Sequence, residues 1–489
     1  MMRKAYYRLV CFYLSIFIMM IGAIQLLPLL VLPFYPQEFS YAPCFIVPGV
    51  LTIFIAYLIH FFLKDTPIMK LEKNYDSFLV VMIWLLAILI STVPWLLKGD
   101  YNFTQAFFEM TSGYSTTGLS VVDVDNTPHI FLMFRSITLF VGGVGFVLII
   151  TSAFSDRYGL NLYNAEGHSD RLMPNLAKSA RLILSIYSFY IVAGVLAYII
   201  CGMKVFDAIN TSIAALSTGG FSVIGESIYG YHSLPIEIIT IILMLLGQTS
   251  FVLHLNMFRK RFANVWQHCE TKFFLFLLVV FGSLMVLNLL QSGYCESFGE
   301  ALRVSLFQFV TCLTTTGFVS VKDMSVLPSG FVTIMIMMML IGGDQESTGG
   351  GIKQYRVIVA LKGIYYLLKE SILNDHVVTS HYIYKAGRKC ELKDDEVSST
   401  TSYILFYIIL FFIGSFIFTM HGYSLQDSMF EFSSAISTVG LSVGITNYYA
   451  GNIILWTAII GMFLGRMEIM VVFRAALRVV KDVRNKEYL

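Results

Sequence analysis

Threonine hydroxyls and backbone carbonyls beside glycine are oxygens that can replace water around a monovalent cation, and this chain offers that combination four times. The runs are Ser115-Thr116-Thr117-Gly118-Leu119, Ser217-Thr218-Gly219-Gly220-Phe221, Thr314-Thr315-Thr316-Gly317-Phe318 and Ser437-Thr438-Val439-Gly440-Leu441. Each spells Ser or Thr, then Thr, any residue, Gly, and Leu or Phe. They recur at intervals of roughly 100 to 120 residues, which marks one structural unit used four times, and four copies can surround an axis. An entering potassium ion must exchange its hydration shell for oxygens at similar distance, and rings of carbonyls from four loops supply them. Gly118, Gly220, Gly317 and Gly440 permit the backbone angles that turn successive carbonyls inward. Thr116, Thr218, Thr315 and Thr438 align likewise, with hydroxyls suited to adding ligands or holding the loop. Thr117, Gly219, Thr316 and Val439, with Leu119, Phe221, Phe318 and Leu441, complete the candidate potassium filter. A single Thr-Gly run in a membrane protein is ordinarily a kink or packing patch; four aligned copies point to a shared site.

The elements that must position these loops are apolar helices. With 57% hydrophobic and 13% charged residues in 489, the chain falls in the membrane class. Stretches long enough to cross about 30 Å of hydrocarbon occur at 11–33, 44–63, 77–97, 129–154, 182–202, 235–258, 273–291, 329–362, 402–420 and 453–480. The first follows Arg3, Lys4 and Arg8 and lacks a small-residue cleavage site, which predicts a retained span. An even number of spans puts both termini on one side. Placing them inside puts most of the 33 basic residues in cytoplasmic segments, including Arg259, Lys260, Arg261, Arg388, Lys389 and the tail from Arg474 to Lys486. Seven cysteines are scattered without paired spacing, giving neither a disulfide framework nor a metal site.

Shorter stretches at 103–114, 206–216, 300–313 and 427–436 are too short to cross and too apolar for ordinary loops. They are expected to be half-helices, each ending in its Thr/Gly run. The predicted unit is span, half-helix, extended loop, span. Non-helical backbone at membrane depth must be buried in protein or line a water-filled space, which drives the four loops toward one cavity. The half-helices would aim the negative ends of their dipoles at a cation. Asp123, Asp125, Glu226 and Asp323 are expected at the outer mouth, where they raise local cation concentration subject to screening. The fold class expected is all-α and integral to the membrane, with an N-terminal hairpin (1–66) and pore units at 67–165, 166–264, 265–368 and, after a cytoplasmic linker, within 369–489.

Two features suggest a gate. The eighth span is interrupted by Gly342, Gly343, Asp344, Gln345, Glu346, Ser347, Thr348, Gly349, Gly350, Gly351, Ile352 and Lys353. A continuous helix would not choose so many glycines, each costing about 1 kcal/mol relative to Ala. A Gly-rich packing kink is the alternative. Arg466, with Glu468 close by, falls inside the tenth apolar stretch, where an ionisable group is costly unless paired or solvated. It is expected either to hold the gate or to bind spans together. Arg135, Arg303 and His254 are expected to anchor and pack. Gln354 after Lys353 removes the ending of a phosphate-binding loop, so no nucleotide site is expected in this chain.

These motifs resemble the TrkH type within the Trk/Ktr/HKT superfamily of potassium transporters. The resemblance covers nearly the whole chain. It rests above all on Thr111-Ser112-Gly113-Tyr114-Ser115-Thr116-Thr117-Gly118-Leu119-Ser120 and on Ser433-Ser434-Ala435-Ile436-Ser437-Thr438-Val439-Gly440-Leu441-Ser442. Supporting matches are Gly142-Gly143-Val144-Gly145, Gln248 to His254, Ser347 to Lys353, and Gly465-Arg466. The resemblance implies four pseudo-symmetric M1-P-M2 repeats around one pore, a homodimer, K+ as the transported ion, and a cytoplasmic ring of nucleotide-binding TrkA-like subunits. Segments 155–181, 259–272 and 369–400 would be available for docking that ring. Gly118, where sodium-admitting members often carry serine, favours potassium. Residues 342–353 take the place of the family's intramembrane gating loop, although Asp344 and Glu346 stand where small residues are expected.

The resulting expectation is potassium uptake across a bacterial inner membrane through a gated pore. An ion-coupled potassium symporter is the first rival; such folds favour inverted repeats and a closed midplane site. A membrane enzyme or receptor is the second, and the chain lacks the paired catalytic motifs it would need.

Overall fold

The structure, a computed structural model, describes residues 2–66, 75–145, 176–373 and 381–484. An N-terminal pair, α1 (Met2–Leu26) and α2 (Ala42–Leu63), packs as a hairpin. Much of α2 is exposed apolar surface, with Val50, Phe54 and Phe62 among its uncovered side chains. That is the surface a lipid-facing helix presents, since in hydrocarbon it need not be hidden.

Four units follow with a common order. The first is α3 (Tyr75–Ser91) and α4 (Val93–Lys98), α5 (Phe103–Tyr114) and α6 (His129–Val144). The second has α7 (Leu176–Ile200), α8 (Val205–Leu216), α9 (Leu234–Gln248) and α10 (Phe251–Phe258). After α11 (Phe262–Gln267) the third comprises α12 (Cys269–Gln291), α13 (Phe298–Leu313), α14 (Ser329–Ile341) and α15 (Gln354–Glu370). A hairpin of β1 (Tyr382–Lys385) and β2 (Arg388–Glu391) precedes the fourth: α16 (Asp394–Met420), α17 (Leu425–Ile436), α18 (Asn452–Arg466) and α19 (Ile469–Arg484).

The short helices α5, α8, α13 and α17 match the expected half-helices within two residues. Three start on side-chain caps: Asn102 accepts from the Gln105 amide, Ser297 from Glu300 and Ser424 from Asp427, satisfying amides that no helical carbonyl reaches. Their packing closes a cycle. The first helix after each unit's loop lies against the short helix of the next unit: α6 on α8, α9 on α13, α14 on α17, and α18 back on α5. Residues such as Phe108, Tyr114, Phe307 and Phe134 are fully buried in the resulting core.

Among the described residues, six helices are long and apolar enough to cross a membrane, or eight when two bent pairs are counted. This is a multi-pass membrane architecture. The differences from the predicted spans have physical causes. Apolar stretch 235–258 is bent by 111° between α9 and α10. The last carbonyls of α9 are taken by another segment, as Gln248 O accepts from the Asp344 amide and Gly247 O from that of Thr348. Stretch 453–480 is bent by 100° at Glu468, whose φ of 59° breaks the helix. Arg466 therefore ends α18 instead of lying inside a continuous span. The 329–362 stretch is divided by residues 342–353, as expected. Positions 146–154 of the fourth stretch, 155–175 of one docking segment and 374–380 of another lie outside the described residues. Within 369–400, expected as a cytoplasmic linker available for docking, the structure adds the β-hairpin. Its Ala386-Gly387 turn has φ of 45° and 80°, the left-handed pair that a two-residue hairpin demands.

Candidate functional site

Each half-helix ends in the same way. Thr116, Thr218, Thr315 and Thr438 have φ of 53°, 53°, 55° and 52°, the left-handed position that closes a helix. The preceding turn supplies both bonds of a Schellman motif in every copy. In the first, the Thr116 amide donates to Gly113 O at 3.1 Å and the Thr117 amide to Ser112 O at 2.9 Å. Thr218 and Gly219, Thr315 and Thr316, and Thr438 and Val439 repeat the pair. Glycine is the usual residue there. A β-branched side chain at positive φ is strained by on the order of 1–3 kcal/mol, and four repetitions of that strain direct attention to what the threonine hydroxyl does.

The glycines two residues later fix how the loops meet. Gly118, Gly220, Gly317 and Gly440 all have positive φ. A Cβ on Gly118 would fall onto the carbonyl oxygen of Gly219, one on Gly220 onto that of Thr316, one on Gly317 onto that of Val439, and one on Gly440 onto that of Thr117. Each glycine thus abuts the carbonyl just before the next unit's glycine, and the sequence of contacts returns to its start. The four loops surround a common centre. The intervening side chains turn away: Thr117 Oγ1 lies 2.6 Å from Ser115 Oγ, and Thr316 Oγ1 lies 2.8 Å from Thr314 Oγ1. Thr, Gly, Thr and Val are interchangeable there because the backbone oxygen is what the centre receives. Leu119, Phe221, Phe318 and Leu441 are buried and wedge the loops into the core.

The threonine hydroxyls divide into two pairs. Thr218 Oγ1 lies 3.2 Å from Thr348 Oγ1, and Thr315 Oγ1 accepts from the Gly350 amide at 2.7 Å. The hydroxyls of Thr116 and Thr438 are fully buried and have no hydrogen-bond partner among the described residues. A buried unmatched hydroxyl is costly, so these two have their full capacity for a further ligand.

Residues 342–353 lie against this ring. Thr348 Oγ1 donates to Gly247 O at 2.8 Å. A Cβ on Gly350 would collide with Thr438 Oγ1 and Ser437 O, and one on Gly349 would press on Thr315 Oγ1 at 3.0 Å. Arg466 holds the loop to two units, donating to Thr348 O at 2.7 Å and to Gly142 O at 2.5 Å. Lys353 Nζ donates to Gly349 O. Asp344 is buried, with its carbonyl accepting from the amide and hydroxyl of Ser347. Beyond the loop opens a cavity of about 790 Å3 whose walls include Glu346, Lys353, Arg356, Arg466, Glu468 and Arg474. Gly349 and Gly350 face both this cavity and the threonines, so the loop separates them. Gly342, with φ 75°, Gly343 and Gly351, with φ 80°, let the chain leave and re-enter the helical path.

Several functional positions escaped the sequence reading. Glu109 and Glu431 are fully buried in α5 and α17 and hold the loops from behind. Glu109 accepts from the Ser120 hydroxyl and the Val121 amide, and Arg135 Nε donates to it at 2.7 Å. Arg135 also donates to Ser222 O in the second loop and lies over the Phe221 ring at 3.9 Å, so it ties two units. Glu431 accepts from Ser442, from the Val443 amide and from both polar groups of Thr446. The signal was present: Glu109, Gln308 and Glu431 each stand nine residues before their loop's glycine. Arg303 pairs with Glu237 at 2.6 Å, and His254 bonds Tyr190 and Leu246 O, consistent with anchoring and packing. Glu468 pairs with Arg356 at 2.5 Å.

Asp125 accepts from the Gly225 amide at 2.9 Å and links the first two loops. The hydroxyl and amide of Ser325 hold the exposed Asp323 carboxyl below its ordinary value. Asp123 accepts from Asn126, and the Glu226 side chain is exposed.

Short helices aimed at a shared ring of loop carbonyls, with a polar segment between ring and cavity, define a membrane protein built to pass ions. The comparisons give the family: the model of the TrkH cation transport proteins matches residues 45–481, and this chain belongs to that family. It is 27% identical over 467 residues to an uncharacterized cation transporter of Methanocaldococcus jannaschii, covering 93% of this chain and 92% of that one. It is 28% identical over 416 residues to the Trk system potassium uptake protein TrkH of Escherichia coli K12, covering 81% and 84%. Its fold superposes on the crystal structure of the potassium transporter TrkH from Vibrio parahaemolyticus with a TM-score of 0.82 at 24% identity, covering 97% and 98%.

Proposed function

We propose that this chain takes up potassium through the centre of the four loops, with residues 342–353 and Arg466 as its gate. The observation that carries the reading is the closed cycle of glycine-to-carbonyl contacts with two unpartnered threonine hydroxyls beside it. Carbonyl and hydroxyl oxygens at one centre suit a dehydrated monovalent cation. The units at 67–165, 166–264, 265–368 and 369–489 are its four repeats, and 1–66 is an appended hairpin. An inside-negative potential supplies about 2.3 kcal/mol per charge per 100 mV, which drives accumulation without hydrolysis in this chain. We further propose a bacterial inner-membrane setting with cytoplasmic termini, a homodimer, and control by a TrkA-like nucleotide-binding ring; the Trk system names of the relatives support association with other Trk components.

Rubidium-86 influx into proteoliposomes, with competing sodium and with and without a TrkA-like partner, tests this. Saturable influx that follows the imposed potential and resists sodium is expected. Influx in fixed stoichiometry with sodium or protons would assign a symporter, and no influx under any potential would remove the transport reading.

A further inference from the structure

One carboxylate oxygen holds both ends of the 342–353 segment. Glu270 Oε1, on the first turn of α12, accepts from the Gln345 amide at 2.7 Å and from the Tyr355 amide at 3.1 Å. Its other oxygen lies 2.7 Å from His268 Nε2, and both side chains are buried. The same imidazole reaches the cytoplasmic β-hairpin, where the Ala386 amide bonds Nδ1 at 3.0 Å. A backbone amide only donates, so Nδ1 is the unprotonated acceptor and Nε2 carries the hydrogen that Glu270 accepts. The bonds therefore run in one direction from the hairpin tip, through His268 and Glu270, to the two ends of the loop. The hairpin is itself well anchored. Ile383 is buried with Tyr355, Ile358, Val359 and Leu392, and Lys362 Nζ donates to Tyr382 O at 2.5 Å.

We infer that His268 and Glu270 are positioning residues that hold the 342–353 loop against the threonine ring and couple it to the place of the 382–391 hairpin. This rests on the loop being the gate. Neither residue touches the ring of carbonyls, so each acts only through the loop. Displacing the hairpin by a bond's length breaks the Ala386 contact and frees the imidazole. Glu270 then loses the donor that orients it, and with that the common anchor for Gln345 and Tyr355. The loop's two ends are released together because one oxygen held them.

The experiment measures partner-free rubidium-86 influx by the full chain in proteoliposomes for Glu270→Ala, Glu270→Gln and His268→Phe, alone and combined with a shortened 343–350 segment. Glu270→Ala and His268→Phe should raise basal influx several-fold. Glu270→Gln keeps an acceptor for both amides but turns an NH2 donor toward the protonated His268 Nε2, so it should raise influx above the parent and by less than Glu270→Ala. In the shortened background none of the three should add anything. Parent-level influx from folded Glu270→Ala and His268→Phe proteins would overturn the coupling while leaving the gate standing, as would an increment that survives shortening. If shortening alone leaves influx unchanged, the gate reading falls and this inference with it. His268→Phe preserves the ring's packing and removes both hydrogen bonds, so it carries the test if Glu270→Ala does not fold.

Discussion

Threonine occupies four helix-closing positions where glycine would relax the backbone, and that exchange is informative at the scale of one residue. Thr116 and Thr438 keep strained φ values and unpartnered hydroxyls, so local stability is not what selects them. Replacing Thr116 with glycine should leave the thermal midpoint unchanged or slightly higher, since the left-handed strain is of order 1 kcal/mol or more. The same change should weaken rubidium affinity and the discrimination against sodium. Influx measured against sodium concentration checks it; an unaltered permeability ratio would take the Thr116 hydroxyl out of the ion's coordination. These threonines were legible in the chain because they recur in register. Glu109 and Glu431 share their own register and were legible in principle, but an isolated glutamate in an apolar stretch draws notice only after the loops are aligned. That Arg135 belongs to Glu109 and also spans to Ser222 depends on folding, which brings three separate segments together.

Elements show where apolarity misleads. A hydropathy stretch records which residues leave water, not whether their helix runs straight. Stretches 235–258 and 453–480 satisfy the first condition and fail the second, the one because Gln248 and Gly247 give their carbonyls to the 342–353 loop, the other because Glu468 adopts positive φ. The same loop is the element most open to experiment. Replacing 343–350 with a shorter linker removes Thr348 and Gly350 from the threonine ring and frees Arg466 from Thr348 O. Basal rubidium influx should then rise several-fold without loss of the ion preference, because the carbonyl ring is built from other residues. Closed-state influx equal to the parent's would count against the gate. The β-hairpin at 382–391 was not anticipated because its exposed Arg388 and Lys389 look like any charged linker, and two strands make too short a pattern to stand out.

At the scale of the whole molecule, the exposed carboxylates of Asp123, Asp125, Glu226 and Asp323 stand in the segments that follow the first three loops. Exposed charges act through a field that salt screens within about 10 Å at 0.1 M. Neutralising Asp123 and Glu226 together should slow rubidium influx at low ionic strength by a modest factor, and the difference should shrink as inert salt is added. A salt-independent loss would mean that these carboxylates hold structure instead of attracting ions. The choice of pair matters, since Asp125 also bonds the Gly225 amide and its loss would disturb the first two loops.

By itself the chain determined a membrane fold, the four half-helices and the loops they end in, because hydrophobic length and a repeated loop spelling are local properties. It also marked the 342–353 break, since glycine and charge cannot sit in a lipid-facing helix. Tertiary structure alone decided that the four loops close in order around one centre, that the break folds back beneath two threonines, and that Arg466 holds it there by two carbonyls. Those facts depend on which surfaces meet across hundreds of residues of chain. A carbonyl's neighbour is set by packing, and no local pattern records it.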